Sequence, residues 1–270
     1  MSQSESASYH LKNLIILSLC QALFFSGRTL TFFAAALVAI AMLGDNLIFA
    51  TAPVTAMLVG TSVATLPASF LMRAWGRRWG FALGSVIGFS GALIAAQAVA
   101  MDNFGIFNFG IFLSGLYGGF AQQYRFAAAE VAPAHLKEKN VSIVIAMSVL
   151  GAFVGPETAL MAKDWIAGAA FQGTFYVLAG FYALSAVIIQ FVRIPKLTED
   201  EIEDSGRPLR EIMKSPTFII AVIAALFGYV VMNFLMVVTP LTMETLKTVV
   251  FTHENIKLVI QWHVVGMFLP

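Results

Sequence analysis

The stretch Leu71-Met-Arg-Ala-Trp-Gly-Arg-Arg-Trp-Gly-Phe81 decides how this chain is read. It gathers Arg73, Arg77 and Arg78 between two long apolar runs. Guanidinium groups cross a hydrocarbon layer only at high cost, so the stretch is a loop at a membrane face and the runs beside it are spans. Composition points the same way: 59% of residues are hydrophobic, 11% are charged, and the mean hydropathy is +0.83. Soluble domains carry about a quarter charged residues. The chain is therefore an all-α integral membrane protein in contact with the lipid bilayer, and a large soluble core is excluded.

Crossing the hydrocarbon needs about 20 apolar residues in a helix. That rule predicts spans at 13–42, 47–72, 79–101, 104–131, 141–162, 171–193 and 216–243, with an incomplete eighth from about 256. Short polar connections at Gly44-Asp45-Asn46, Asp102-Asn103 and Lys163-Asp164 separate them. The polar start, Met1 to His10, lacks a basic region, and the run after it is too long for a secretory signal. It is a retained first span.

Charge sets the orientation. With the N-terminus cytoplasmic, the inner side collects Lys12, Arg73, Arg77, Arg78, Lys137, Lys139, Arg193, Lys196, Arg207, Arg210 and Lys214. The outer side holds Lys163, Lys247 and Lys257. A multi-pass protein of a plasma membrane or bacterial inner membrane is expected. The sequon Asn140-Val-Ser142 falls on the inner side and is discounted.

Three regions are expected: a six-helix N-terminal half at 1–194, a cytoplasmic linker at 195–215, and the start of a second transmembrane half at 216–270. The linker carries Glu199, Asp200, Glu201, Glu203 and Asp204. Its tail, Pro208 to Met213, reads either as an amphipathic surface helix or as a solvated linker. Ala225-Leu226-Phe227 echoes Ala22-Leu23-Phe24, which suits two repeated halves. The apolar ending at Pro270 reads as a fragment or truncated product of a longer protein.

The arginine loop resembles the signature between the second and third helices of the major facilitator superfamily of secondary transporters. Leu71, Gly76, Arg77 and Arg78 match that signature, while Ser69 and Arg73 stand where it has a glycine and an acid. Glu130-x-x-Pro133-x-x-x-Lys137 is similar to a second loop pattern of the superfamily, and the resemblance implies that Glu130 pairs with Arg77. Gly151-x-x-x-Gly155-Pro156 is similar to a motif of its proton-coupled exporters, in which glycines allow close packing and proline bends the helix. Ala159 and Leu160 replace that motif's following glycines, and the exporters' usual arginine is missing around Ser114-Gly115. The resemblance implies a six-helix N-terminal bundle of a major facilitator fold, with a seventh and a partial eighth helix. It also implies alternating-access transport of a small-molecule substrate coupled to a proton or other ion, with export as a possible direction. The alternative is a truncated, non-transporting membrane subunit or regulator that pairs with another membrane protein.

Polar groups inside spans mark the candidate site. Ser18, Gln21 and Arg28 share one face of span one. Arg28 either lines a cavity, where it binds an anionic group or partners an acid, or it snorkels or is paired only to stabilise packing. Span four carries Gln122 and Arg125 beyond a packing patch at Gly115, Gly118 and Gly119; Arg125 belongs either to a cavity or to the loop cluster with Glu130. Span seven offers Tyr229 and Asn233, with Met236 beyond. Spans one, four and seven are those that line the central cavity in the resembled family. Glu157 is a proton carrier, an ion-pair partner of Arg28, or a solvated outer group. Gln261 and a lone His263 fall in the eighth span. No metal-ligand spacing, phosphate loop, nucleophile–base set or nucleic-acid patch is present, so no cofactor, metal or catalytic residue is expected.

Overall fold

The computed structural model describes residues 3–44, 47–194, 209–246 and 250–268. Every regular element among them is helical: α1 (Gln3–Leu43), α2 (Ala52–Trp75), α3 (Arg77–Ala100), α4 (Phe104–Ala121), α5 (Tyr124–Glu130), α6 (Lys137–Ala146), α7 (Ser148–Met161), α8 (Gln172–Ile188), α9 (Leu209–Lys214), α10 (Pro216–Thr245) and α11 (His253–Phe268). Lipid offers the backbone no hydrogen-bond partner, so each apolar run closes its own ladder. Among the described residues, seven spans are long and apolar enough to cross a membrane: Tyr9–Leu43, Leu47–Trp75, Arg77–Ala100, Phe104–Glu130, Ala134–Met161, Gln172–Phe191 and Pro216–Thr245. They match the expected spans, and α11 begins close to the predicted eighth.

Gly76 alone joins α2 to α3, at a φ of 89°. A side chain would be strained there, which is why the arginine loop needs glycine at its turn. Asn103 starts α4 by accepting from the Ile106 amide at 3.0 Å.

Small residues let the first six spans close on one another. A Cβ on Gly91 of α3 would lie 2.6 Å from the Gly110 carbonyl of α4, so these backbones touch. Gly118 and Gly119 seat Thr61 and Ala64 of α2, the packing role expected of that patch. Gly151 brings α7 onto α1, where Thr29 Oγ1 donates to the Gly151 carbonyl at 2.6 Å. Tyr117 OH lies 2.8 Å from Ser185 Oγ and 3.0 Å from Tyr124 OH, tying α4, α5 and α8 together inside the bundle.

Two spans read as continuous are interrupted. The fourth breaks at Gln122-Gln123, where the Gln123 amide donates to the Phe120 carbonyl at 3.0 Å, and the fifth breaks at Met147. Both interruptions face the site described next. Beyond the six-span bundle, α10 rests on α1 and α11 rests on α7. The most apolar part of α10 is only 6% buried, against 83% for α1. Of the region expected to link these groups, Leu209–Lys214 forms the short helix α9; Pro208, the acidic cluster and the Asp45-Asn46 connection lie outside the described residues.

Candidate functional site

A cavity of about 260 Å³ lies between the six-span bundle and the last two helices. Helix α1 supplies Gln21, Phe24, Phe25, Arg28 and Phe32 to its wall. Gln122 at the first helix break, Arg125 of α5 and Ser148 at the start of α7 add polar groups, while α10 and α11 close it with Tyr229, Met236, Met267 and Phe268. An interrupted helix frees polar groups at membrane depth, and such breaks are tolerated where they line a cavity.

Arg28 is the centre of this site. Its Nη2 donates to Tyr229 OH at 3.1 Å, and its guanidinium lies 5.9 Å and 5.6 Å from the ring centroids of Phe25 and Phe32. The phenol and the two ring faces stabilise the cation electrostatically. Arg28 has no carboxylate in ion-pair range among the described residues. Of the alternatives open for Glu157, the pair with Arg28 does not form: Tyr229 takes the arginine, and the carboxylate goes to Lys257. Arg125 lines the same cavity and stacks on Phe126 at 4.9 Å, so it is not confined to the loop cluster. Gln21 donates to Ser148 Oγ at 2.9 Å across the α1–α7 seam, and Phe25 meets Phe268 edge to face at 4.9 Å.

The other predicted residues are distributed around this centre. Asn233 is buried one turn beyond Tyr229 and lines an adjoining cavity of about 590 Å³ that shares Arg28, Gln122 and Tyr229. Ser18 is buried against the bundle and does not line either cavity. Gly151, Gly155 and Pro156 are buried in the α1–α7 contact.

At the arginine-loop end, Arg77 makes a bidentate ion pair with Glu130, the pairing the resemblance implies. Arg78 donates twice to Gln190 Oε1 at 3.3 Å. Pro133 opens the turn before α6, with its carbonyl taking the Leu136 amide at 2.9 Å, and Lys137 begins α6 at the surface.

At the opposite end, Glu157 of α7 bonds Lys257 Nζ of α11 at 2.8 Å, and Glu254 holds the same nitrogen at 2.5 Å. The Lys257 side chain is 8% exposed and the Glu157 side chain 52% exposed. Lys163 and His253 lie 3.2 Å apart beside this clasp, and Phe171 packs edge-on against His253. Sequence reading treated Lys257 as an outer-loop charge. Its position in the apolar run Ile256–Ile260 is the signal that could have marked it as a buried cation. Phe25, Phe32, Ser148 and Phe268 carry no comparable signal in a chain with 24 Phe.

Residues 17–252 match the family model described as Major Facilitator Superfamily. The chain is 35% identical over 261 residues to the riboflavin transporter RfnT of Brucella anthropi, covering 96% of this chain and 65% of that protein. It is 24% identical over 285 residues to YdeG of Bacillus subtilis, an uncharacterised MFS-type transporter, covering 100% of this chain and 65% of the relative. The chain thus spans about 65% of the length of these curated relatives. Its fold is similar to that in the crystal structure of a D-xylose-proton symporter, with a TM-score of 0.67 and 15% identity over 97% of this chain and 67% of the other.

Proposed function

The chain belongs to the Major Facilitator Superfamily, and on that premise we propose that it serves as a secondary transporter of a small planar heteroaromatic molecule, with riboflavin as the leading candidate. The cavity around Arg28 carries this reading. Phe24, Phe25 and Phe268 offer aromatic faces to a flat ring, while Arg28, Arg125 and Gln122 offer donors to its oxygen and nitrogen acceptors. The 35% identity to a riboflavin transporter supports the same class of substrate.

Transport proceeds by alternating access, with the Arg77–Glu130 loop on the cytoplasmic side and the Glu157–Lys257 clasp on the outer side. Glu157 is half-exposed, so protons reach it. A proton on its carboxylate removes the charge that holds Lys257 to α7 and leaves the lysine on Glu254 of its own helix, which links proton binding to opening of the outer face. The Gly151-x-x-x-Gly155-Pro156 motif favours export as the direction.

The test is uphill riboflavin flux by the intact protein in proteoliposomes under an imposed pH gradient. The expected result is flux that collapses when the gradient is dissipated. Flux unaffected by that treatment would sink the proton coupling, and flux no greater than in protein-free vesicles would sink the substrate assignment.

A further inference from the structure

The face opposite the arginine loop holds a titratable group that the Glu157–Lys257 clasp does not use. His253 is the first residue of α11, and its imidazole meets groups from both sides of the seam. Lys163, in the connection from α7 to α8, sets Nζ 3.2 Å from its Nδ1. Glu244, near the end of α10, sets Oε2 3.7 Å from its Nε2. Phe171, just before α8, packs edge to face on the imidazole and also lies 5.5 Å from Lys163 Nζ. On its own helix Glu254 follows His253, and Lys257 stands one turn on, bonded to Glu254 and to Glu157 of α7. Asp164, next to Lys163, is exposed.

Lys163 fixes the tautomer of the ring. An ammonium group has three donors and no lone pair, so it bonds Nδ1 only where Nδ1 accepts. The ring proton of neutral His253 is therefore on Nε2, the nitrogen on the Glu244 side. In this form the imidazole takes a hydrogen bond from the six-span bundle and turns its own N–H toward α10.

A second proton changes the sign of one of these contacts and not of the other. Nδ1–H then faces the Lys163 ammonium, two donors and two positive charges at a separation that held a hydrogen bond. On the other side an imidazolium faces the Glu244 carboxylate, and attraction there grows. The ring face of Phe171 remains available to the displaced ammonium. The His253 side chain is 29% exposed, so protons from solution reach it.

We propose that His253 is a pH-sensitive switch of this seam: as a neutral ring it ties α11 to the six-span bundle through Lys163, and as an imidazolium it leaves that bundle and ties α11 to α10 through Glu244. Acid on this face loosens the start of α11 from the α7–α8 connection, while α10 and α11 stay together. The cause is a cation gained at His253, whereas the clasp responds to an anion lost at Glu157. The switch is independent of which molecule occupies the cavity around Arg28.

The test is amide exchange at His253–Lys257 in the purified intact protein, at about pH 7.5 and about pH 5.5, read as protection factors so that the intrinsic pH dependence of exchange cancels. That window spans the ordinary titration of an imidazole and lies above that of a carboxyl group. Protection in the wild type is expected to fall about twofold to fivefold on acidification, the range of a solvent-screened charge contact. Amides at Leu241–Thr245 of α10 should hold theirs. His253→Gln offers Lys163 an amide oxygen and Glu244 an amide N–H at either pH, and should keep at both the protection that the wild type has at the higher. Lys163→Met removes the cation that opposes the proton, so acid should not lower its protection. Wild-type protection that is equal at the two pH values, or that rises with acid, overturns the switch. A fall that persists in His253→Gln or in Lys163→Met does so too, because another group then senses the proton. A fall shared equally by Leu241–Thr245 also overturns it, since acid then loosens this end as a whole.

Discussion

Arg28 separates a functional charge from a structural one by the sign of two measurements. A guanidinium near the middle of a membrane helix costs roughly 2.5–3.5 kcal/mol on insertion scales. Its bond to Tyr229 and the faces of Phe25 and Phe32 offset part of this. Arg28→Ala therefore should not lower the melting temperature of the purified protein, because the charge and its cost leave together. Ligand affinity, by contrast, should fall about tenfold to a hundredfold, the loss expected for a charged hydrogen bond of about 1.5–3 kcal/mol. A variant that melts much earlier and binds normally would make Arg28 a packing residue. The sequence made this residue visible because a charge stands out against an apolar run, and Gln21, Gln122 and Tyr229 were legible for the same reason. Phe268 and Ser148 were not. An aromatic ring or a small hydroxyl on a membrane helix looks the same whether it meets lipid, a neighbouring helix or a ligand.

At the scale of the element, glycines in this chain divide by what surrounds them. A Cβ on Gly151 would lie 2.7 Å from the Ser26 amide nitrogen of α1, whereas one on Gly180 in α8 meets nothing within 4 Å. Substitutions at the two should differ in sign. Gly151→Val forces α7 off α1 and breaks the seam held by Thr29, so it should destabilise by about 1–3 kcal/mol, as overpacking does. Gly180→Ala should stabilise by up to about 1 kcal/mol through helix propensity. Thermal unfolding in one detergent reads both, and a neutral Gly151→Val would remove the close α1–α7 contact from the account. The motif Gly151-x-x-x-Gly155 was readable because its spacing repeats on one helical face. The interruptions at Gln122-Gln123 and Met147 were not, since no proline or glycine stands at either position and the apolar run resumes within a few residues of each. The breaks come from tertiary context, where the cavity wall departs from a straight helix.

At the scale of the whole molecule, the six-span bundle and the last two helices are joined by a clasp at one end and parted by a cavity. Length and hydropathy made the seven spans and the start of α11 legible, and charge asymmetry suggested their orientation. Which partner Glu157 takes was not legible, because Lys257 lies far along the chain and pairing at that separation leaves no local trace. The clasp unites a cation that is 8% exposed with a carboxylate that is 52% exposed. Its net contribution is therefore smaller than for a fully buried pair, about 1–2 kcal/mol after solvent screening. Glu157→Lys places two ammonium groups face to face and should open this end: amide exchange in the first turns of α11, at His253–Lys257, should accelerate about fivefold to thirtyfold, the equivalent of that energy. Adding Lys257→Glu in a Glu254→Gln background restores opposite charges across the same gap, and exchange should return to near the wild-type rate. Transport should follow the same order, impaired in the single variant and recovered in the compensated one. Exchange that stays slow in Glu157→Lys would mean that Phe171, His253 and the packing of α7 on α11 hold this end without the ion pair.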